Sequence, residues 1–196
     1  MSTKQNHIMD AAAFLFSVQG IKATTMSEIA QHCGISKKTL YQFFADKEML
    51  VIAVVQNIVS KNQQIVRVSP AISPNAAFEL CNFFGYIESR LAILTPPLLR
   101  DLKRYYYDAN KLLEQSRNSR LVPYIKQNII RGIAEDIYRS DLDGNTMGWL
   151  YCWQLQYAME DISFHNEKRQ GLVSSINSTF LHGIVNAKGL KLLLKK

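Results

Sequence analysis

Two short stretches hold the side chains best suited to recognition chemistry. Thr25-Met-Ser-Glu28 sets a hydroxyl three residues before a carboxylate, and Ser36-Lys-Lys-Thr-Leu-Tyr-Gln42 interleaves hydroxyl, ammonium, phenol and amide groups. In the first, the Thr25 hydroxyl can accept a free backbone N–H while Glu28 reaches back, a reciprocal pattern that starts a helix. In the second, Ser36 is placed to cap a helix. Ile35 and Leu40 are placed to pack it, which leaves Lys37, Lys38, Thr39, Tyr41 and Gln42 pointing outward. Those outward groups are donors and acceptors of the kind that meet base edges in a major groove. An ordinary helical hairpin with a solvated polar face shares the pattern, so spacing alone leaves both readings open.

The elements that must carry these groups read as helices. Ile8, Ala11, Ala12, Leu15 and Phe16 share one face of a first helix, which Gly20 stops. Met26, Ile29, Ala30 and Cys33 form the inner face of a short second helix, and Gly34 sits where a tight turn needs positive φ. A third helix carries Leu40, Phe43 and Phe44, and Asp46 caps a fourth running from Lys47 toward Val68. Lys47 then lies in a first helical turn, an unfavourable place for a cation unless an anion offsets it.

The stretches Gly20-Ile-Lys-Ala-Thr-Thr-Met-Ser-Glu-Ile-Ala30, Cys33-Gly-Ile-Ser-Lys-Lys-Thr-Leu-Tyr-Gln-Phe-Phe44 and Asp46-Lys-Glu-Met-Leu50 closely resemble the tetracycline-repressor-like (TetR) family. The resemblance covers about the first quarter of the chain, in the order of that family's helix-turn-helix. It implies a DNA-binding domain over residues 1–46 and a helical regulatory and dimerisation domain over 47–196. It also implies roles for matching positions. Thr25 and Ser27 would meet a phosphate, and Ser36 and Lys37 would begin the recognition helix. Lys37, Lys38, Thr39 and Gln42 would reach base edges, and Tyr41 and Lys47 would touch backbone phosphate. Many relatives carry glycine where Lys38 stands, so here a lysine meets either a base or a phosphate. Phe43 either touches a thymine methyl or packs. The implied protein is a cytoplasmic, homodimeric, ligand-responsive regulator, a repressor in first reading, on a near-palindromic double-stranded operator. The alternative is a helix-turn-helix regulator governed by a protein partner, or constitutively bound to DNA.

Beyond residue 46 the pattern stays helical. Pro70 and Ser73-Pro74 mark a break, with Pro74 suited to a new first turn; Thr95-Pro96 and Pro123 repeat that device. Two closing helices, over roughly 146–162 and 167–187, are the expected dimer elements, with a purely intramolecular core as the alternative. The first is apolar around most of its circumference, with Leu150, Tyr151, Trp153, Leu155, Tyr157 and Ile162 among its members. A pocket for a lipophilic or aromatic effector would draw on Phe83, Tyr86, Tyr107 and Trp153, each weighed against plain core packing. Arg104 and Arg131 are weighed as partners for an anionic ligand against solvated arginines. About nine helices result, an all-α fold with no convincing strand.

Composition narrows the function classes. The chain has 196 residues, 47% hydrophobic and 20% charged, with a net charge of +7. That charge is +1 over residues 1–50, +5 over 51–140 and +1 over 141–196, so the basic excess sits mid-chain. An anionic partner and plain solubility explain it equally well. Three well-separated cysteines, Cys33, Cys81 and Cys152, fit neither a disulfide framework nor a zinc site. His7, His32, His165 and His182 lack metal spacing. No catalytic Ser/His/Asp order, phosphate-cradling glycine loop or His-Glu-x-x-His run occurs, so no enzyme, metal or cofactor is expected. Asp141-x-Asp143-x-Asn145 begins like a calcium loop but has Thr146 and Cys152 at the sixth and twelfth positions, which favours a helix cap. Asn177-Ser-Thr179 matches a glycosylation sequon without any sign of secretion. With no apolar signal core and no long apolar run, the chain is expected to stay off membranes.

Overall fold

The computed structural model describes residues 3–161 and 166–194, which leaves Ile162 and His165 outside the described residues. The described residues are helical almost throughout, with one isolated antiparallel bridge between Tyr138 and Val185. The helices are α1 (Thr3–Gln19), α2 (Met26–His32), α3 (Lys37–Phe43), α4 (Lys47–Ile72), α5 (Ala76–Arg90), α6 (Pro96–Tyr105), α7 (Tyr107–Ser116), α8 (Val122–Ala134), α9 (Gly144–Glu160), α10 (Asn166–Ile184) and α11 (Ala187–Leu193). A π-helical turn at Arg117–Leu121 joins α7 to α8. The all-α reading holds, but the described residues form eleven α-helices against about nine expected, because residues 96–121 divide more finely and α10 stops at Ile184, with Asn186 capping a separate α11.

Packing sorts the chain into two compact units. One holds the chain up to Lys61 together with Ala92–Glu114; the other holds Asn62–Leu91 and Gln115 onward. The motif-bearing segment 1–46 thus lies inside a larger unit that includes α6.

In the first unit the apolar faces meet as their spacing requires. Ile8, Ala12, Phe16, Ile21, Ile29 and Leu40 are buried, and Leu50, Val51 and Val54 of α4 join them. Each fully buried Val, Leu, Ile or Phe among them contributes about 1.5–3 kcal/mol. Gly20 ends α1 at φ +88°, with its N–H donated to Phe16 O at 3.0 Å. Here α6 lies against α1. The Thr95 hydroxyl donates to Ser17 O at 2.7 Å, and the buried Asp101 carboxylate accepts the Lys22 backbone N–H at 2.7 Å. Thr95 therefore occupies the N-cap position without using its hydroxyl as a cap.

The second unit is built on a cluster of rings. Phe83 lies 5.0 Å from Tyr124, Phe84 5.5 Å from Tyr151, and Tyr151 5.0 Å from Phe180. Beside them Arg131 gathers the ends of α4, α5 and α8. It donates to Glu79 Oε2 at 2.8 Å, Glu135 Oε1 at 2.7 Å, Pro70 O at 3.1 Å and Ser73 O at 3.0 Å. Arg131 is thus committed to internal partners, and a solvated or ligand-facing role does not describe it.

Three predicted boundaries shift for local reasons. Helix α4 runs through Pro70 to Ile72, because a proline in a last turn removes only one intrahelical bond. Helix α5 starts after Asn75, whose Oδ1 accepts Phe78 N–H at 3.0 Å, and not at Pro74. Asp143 caps α9 by accepting Thr146 N–H at 2.7 Å, so the calcium-like run is a capping turn. Asn177 is buried, accepting from the Tyr151 hydroxyl and donating to Glu88, both at 2.9 Å, and so is no exposed sequon.

Candidate nucleic-acid interface

The two short helices owe their starts to side-chain caps. Thr25 Oγ1 accepts Glu28 N–H at 3.2 Å, while the Thr25 backbone N–H donates to Glu28 Oε2 at 2.6 Å. Those bonds to Thr25 hold the Glu28 carboxyl below its usual range. Ser36 Oγ accepts Thr39 N–H at 3.0 Å and pairs with Thr39 Oγ1 at 2.8 Å. Between the helices Gly34 takes φ +65°, and its N–H and that of Ile35 donate to Gln31 O and Ala30 O, both at 3.0 Å. A side chain at Gly34 would meet positive-φ strain although the space around it is open. The turn fixes the angle at which α3 leaves α2, and so fixes the outward face.

On that face Ser36, Lys37, Lys38, Tyr41 and Gln42 are exposed, and Thr39 is half-buried beside its cap. Tyr41 keeps 43% of its surface in solvent and the Lys37 ammonium stands 5.9 Å from its ring, so packing does not consume the phenol. Thr25 and Ser27 are exposed at the start of α2. Lys47 opens α4, half-buried, with its ammonium donating to Lys22 O at 3.4 Å. Burial pushes the Lys47 pKa down, and the charges of Asp101 and Glu28 offset part of that. All nine residues selected from sequence lie in the first unit, and none is fully buried. Phe43 is half-buried and lines a cleft of about 270 Å³ with Thr3, Lys4, His7, Ile8, Ile35 and Thr39.

This arrangement presents a row of ammonium, hydroxyl and amide groups on a short rigid helix. Two capped helix starts add backbone N–H groups. Such a surface can position phosphate and read base edges. Among the described residues no group of His, Cys, Asp and Glu is arranged to hold a metal ion. None of the described helices is long and apolar enough to cross a membrane.

The aromatic residues considered for an effector pocket are distributed between interior and surface. Phe83 is 1% exposed inside the ring cluster. Tyr86 is half-buried and donates its hydroxyl to Asn62 Oδ1 at 2.6 Å, with burial raising its pKa. Tyr107 belongs to the other unit and is 72% exposed, and Trp153 is 61% exposed on α9. Sequence reasoning missed α6 as a neighbour of the helix-turn-helix. Its anchors, Asp101 and Thr95, act across about 80 positions of chain, and no local periodicity signals them.

Residues 8–54 match the bacterial regulatory proteins of the tetR family. YvaF, an uncharacterized HTH-type transcriptional regulator of Bacillus subtilis, is 34% identical over 86 residues, covering 43% of this chain and 45% of its own. YerO, another uncharacterized HTH-type regulator of that organism, is 23% identical over 209 residues, covering 95% of this chain and 70% of its own. The match to YvaF thus spans less than half of that relative's length. A crystal structure of a TetR-family transcriptional regulator from Agrobacterium tumefaciens superposes with a TM-score of 0.78. It covers 94% of this chain and 98% of its own at 16% identity, a likeness of fold.

Proposed function

Taking this chain as a TetR-family DNA-binding transcriptional regulator, we propose that it is a cytoplasmic homodimer. It places residues 36–43 of each subunit in successive major grooves of a near-palindromic operator. The observation that carries this reading is the outward row Lys37, Lys38, Thr39, Tyr41 and Gln42 on a helix capped by Ser36. Lys37 and Lys38 would donate to guanine O6 and N7, and Gln42 would pair with adenine N6 and N7. Thr25, Ser27, Tyr41 and Lys47 would hold the phosphates that set register.

Support for the dimer comes from α9. Its inner residues Tyr151, Cys152, Leu155 and Ala158 are buried, yet Leu150, Trp153 and Tyr157 stay exposed on another face, Trp153 and Tyr157 by more than 60%. A two-fold interface through α9 and α10 would cover that apolar stripe.

Regulation by a lipophilic or aromatic small molecule completes the proposal, with repression as its sign. A ligand favouring the conformation unable to span both half-sites needs a coupling of about 1–3 kcal/mol to relieve repression several-fold or more. Helix α4 is the covalent route for that signal, since it begins at Lys47 beside the reader and ends at Ile72 in the second unit.

The test is selection of duplexes from random sequence by the wild-type protein, followed by binding of the Thr39→Ala/Gln42→Ala variant. Specific binding is expected for wild type and its loss in the variant, with the melting temperature kept. An unchanged preference in the variant would remove α3 as the reader. A thermal-shift screen of small molecules tests regulation, since an effector should raise the melting temperature and release DNA together.

A further inference from the structure

The fold leaves a basic cluster beside the reader that the helix-turn-helix reading does not use. Helix α6 is fastened to α1 by the Thr95–Ser17 bond and to the α1–α2 turn by the Lys22–Asp101 bond, each 2.7 Å. The fit is close, because a Cβ on Gly20, already at φ +88°, would lie 2.7 Å from Asp101 Oδ2. On this rigid seat the Lys22 ammonium lies 4.8 Å from the Tyr105 ring centroid and 3.4 Å from its hydroxyl. The Arg104 guanidinium stands 5.4 Å from the same centroid. Lys22, Arg104 and Tyr105 are all exposed, and among the described residues neither cation forms a salt bridge. Asp101 offers little relief, for it is buried and already holds the Lys22 N–H, with Arg100 3.5 Å away.

Two cations sharing one ring repel each other, so the cluster suits an anion. Its position selects which anion. Lys22 O accepts from the Lys47 ammonium at 3.4 Å, and Lys22 lies three residues before Thr25. Lys22 thus joins the cluster to Lys47, the residue assigned above to phosphate. We propose that Lys22, Tyr105 and Arg104 form a second DNA-contacting patch, carried by α6, that holds the sugar–phosphate backbone just outside the half-site read by α3. The mid-chain basic excess would then in part serve the same partner as the reader helix. This inference rests on the DNA-binding reading of α3.

The experiment uses a duplex selected by the wild-type protein in two lengths. One ends at the outer edges of the half-sites, and the other extends by about half a helical turn on each side. Wild type should bind the longer duplex at least tenfold more tightly and with a steeper salt dependence. Lys22→Ala/Arg104→Ala should keep its affinity for the short duplex and its melting temperature. On the long duplex the variant removes four cations per dimer, so its log–log salt slope should flatten by about 3.6. Lys22→Arg/Arg104→Lys should restore the slope, which a purely structural role for the cluster would not require. Equal wild-type affinity for both lengths would overturn the patch and leave the α3 reading intact. So would an equal loss by the variant on both. Failure of wild type to prefer any duplex would overturn both.

Discussion

Replacing Lys47 with methionine separates a residue kept for DNA from one kept for folding. Its ammonium is half-buried at the first position of α4, where the helix dipole opposes a cation, and its one hydrogen bond to Lys22 O is long at 3.4 Å. Burial lowers its pKa, so the charged form is less favourable in the folded chain than in the unfolded one. A group depressed in this direction adds stability as pH rises through its folded pKa, and at neutral pH its charge is a cost. Methionine keeps the apolar stem and removes that cost, so Lys47→Met should leave the melting temperature unchanged or slightly raised. Binding should move the other way. In the proposed dimer the variant removes two cations, so the log–log salt slope should flatten by about 1.8. The affinity gap between wild type and variant should therefore shrink about tenfold between roughly 50 and 200 mM salt. Fluorescence anisotropy across that range measures it directly. A variant slope equal to that of wild type would refute the phosphate contact, and a large fall in melting temperature would refute the stability argument.

Other perturbations probe the framework. Gly132→Ala would drive a methyl into the Tyr138 ring, so overpacking should cost about 1–3 kcal/mol in a denaturant titration. Thr25→Ala removes the first cap of α2 and should cost about 1 kcal/mol, with a loss of DNA affinity beyond that explained by unfolding. The lowered pKa of Glu28 makes its contribution present above the unfolded glutamate pKa and lost as pH falls through the folded one. Glu28→Gln should accordingly flatten the acid limb of the stability curve. The Cys152 thiol is buried and pushed up to about 12, chiefly by desolvation. It should resist iodoacetamide at neutral pH until the chain unfolds, as mass spectrometry of labelled peptides can follow.

What was legible in the sequence was local. The Thr25–Glu28 box, the Ser36 cap, the stop at Gly20 and the turn at Gly34 each depend on residues within a few positions, and all form as their types dictate. Phe83, which the sequence offered either to a pocket or to the core, packs inside the ring cluster. The rest depends on partners far along the chain. The Thr95 hydroxyl abandons its own helix because Ser17 O lies within reach, and Asp101 is hidden because the Gly20–Lys22 turn needs an acceptor. Arg131 looks like a surface cation until Glu79, Pro70 and Ser73 are brought around it. On α3 the outward polar face was readable residue by residue. The cluster of Lys22, Tyr105 and Arg104 was not, because Tyr105 reaches Lys22 only through the docking of α6.

The most direct measurement of the central claim is a hydroxyl-radical footprint of the wild-type protein on its selected duplex. Two protected half-sites related by a two-fold axis are predicted, their centres about 34–36 Å or a multiple of that apart, with a protection pattern that is lost in Thr39→Ala/Gln42→Ala. A single protected patch, or protection spread evenly along the duplex and indifferent to those two side chains, would contradict a dimeric reader built on α3.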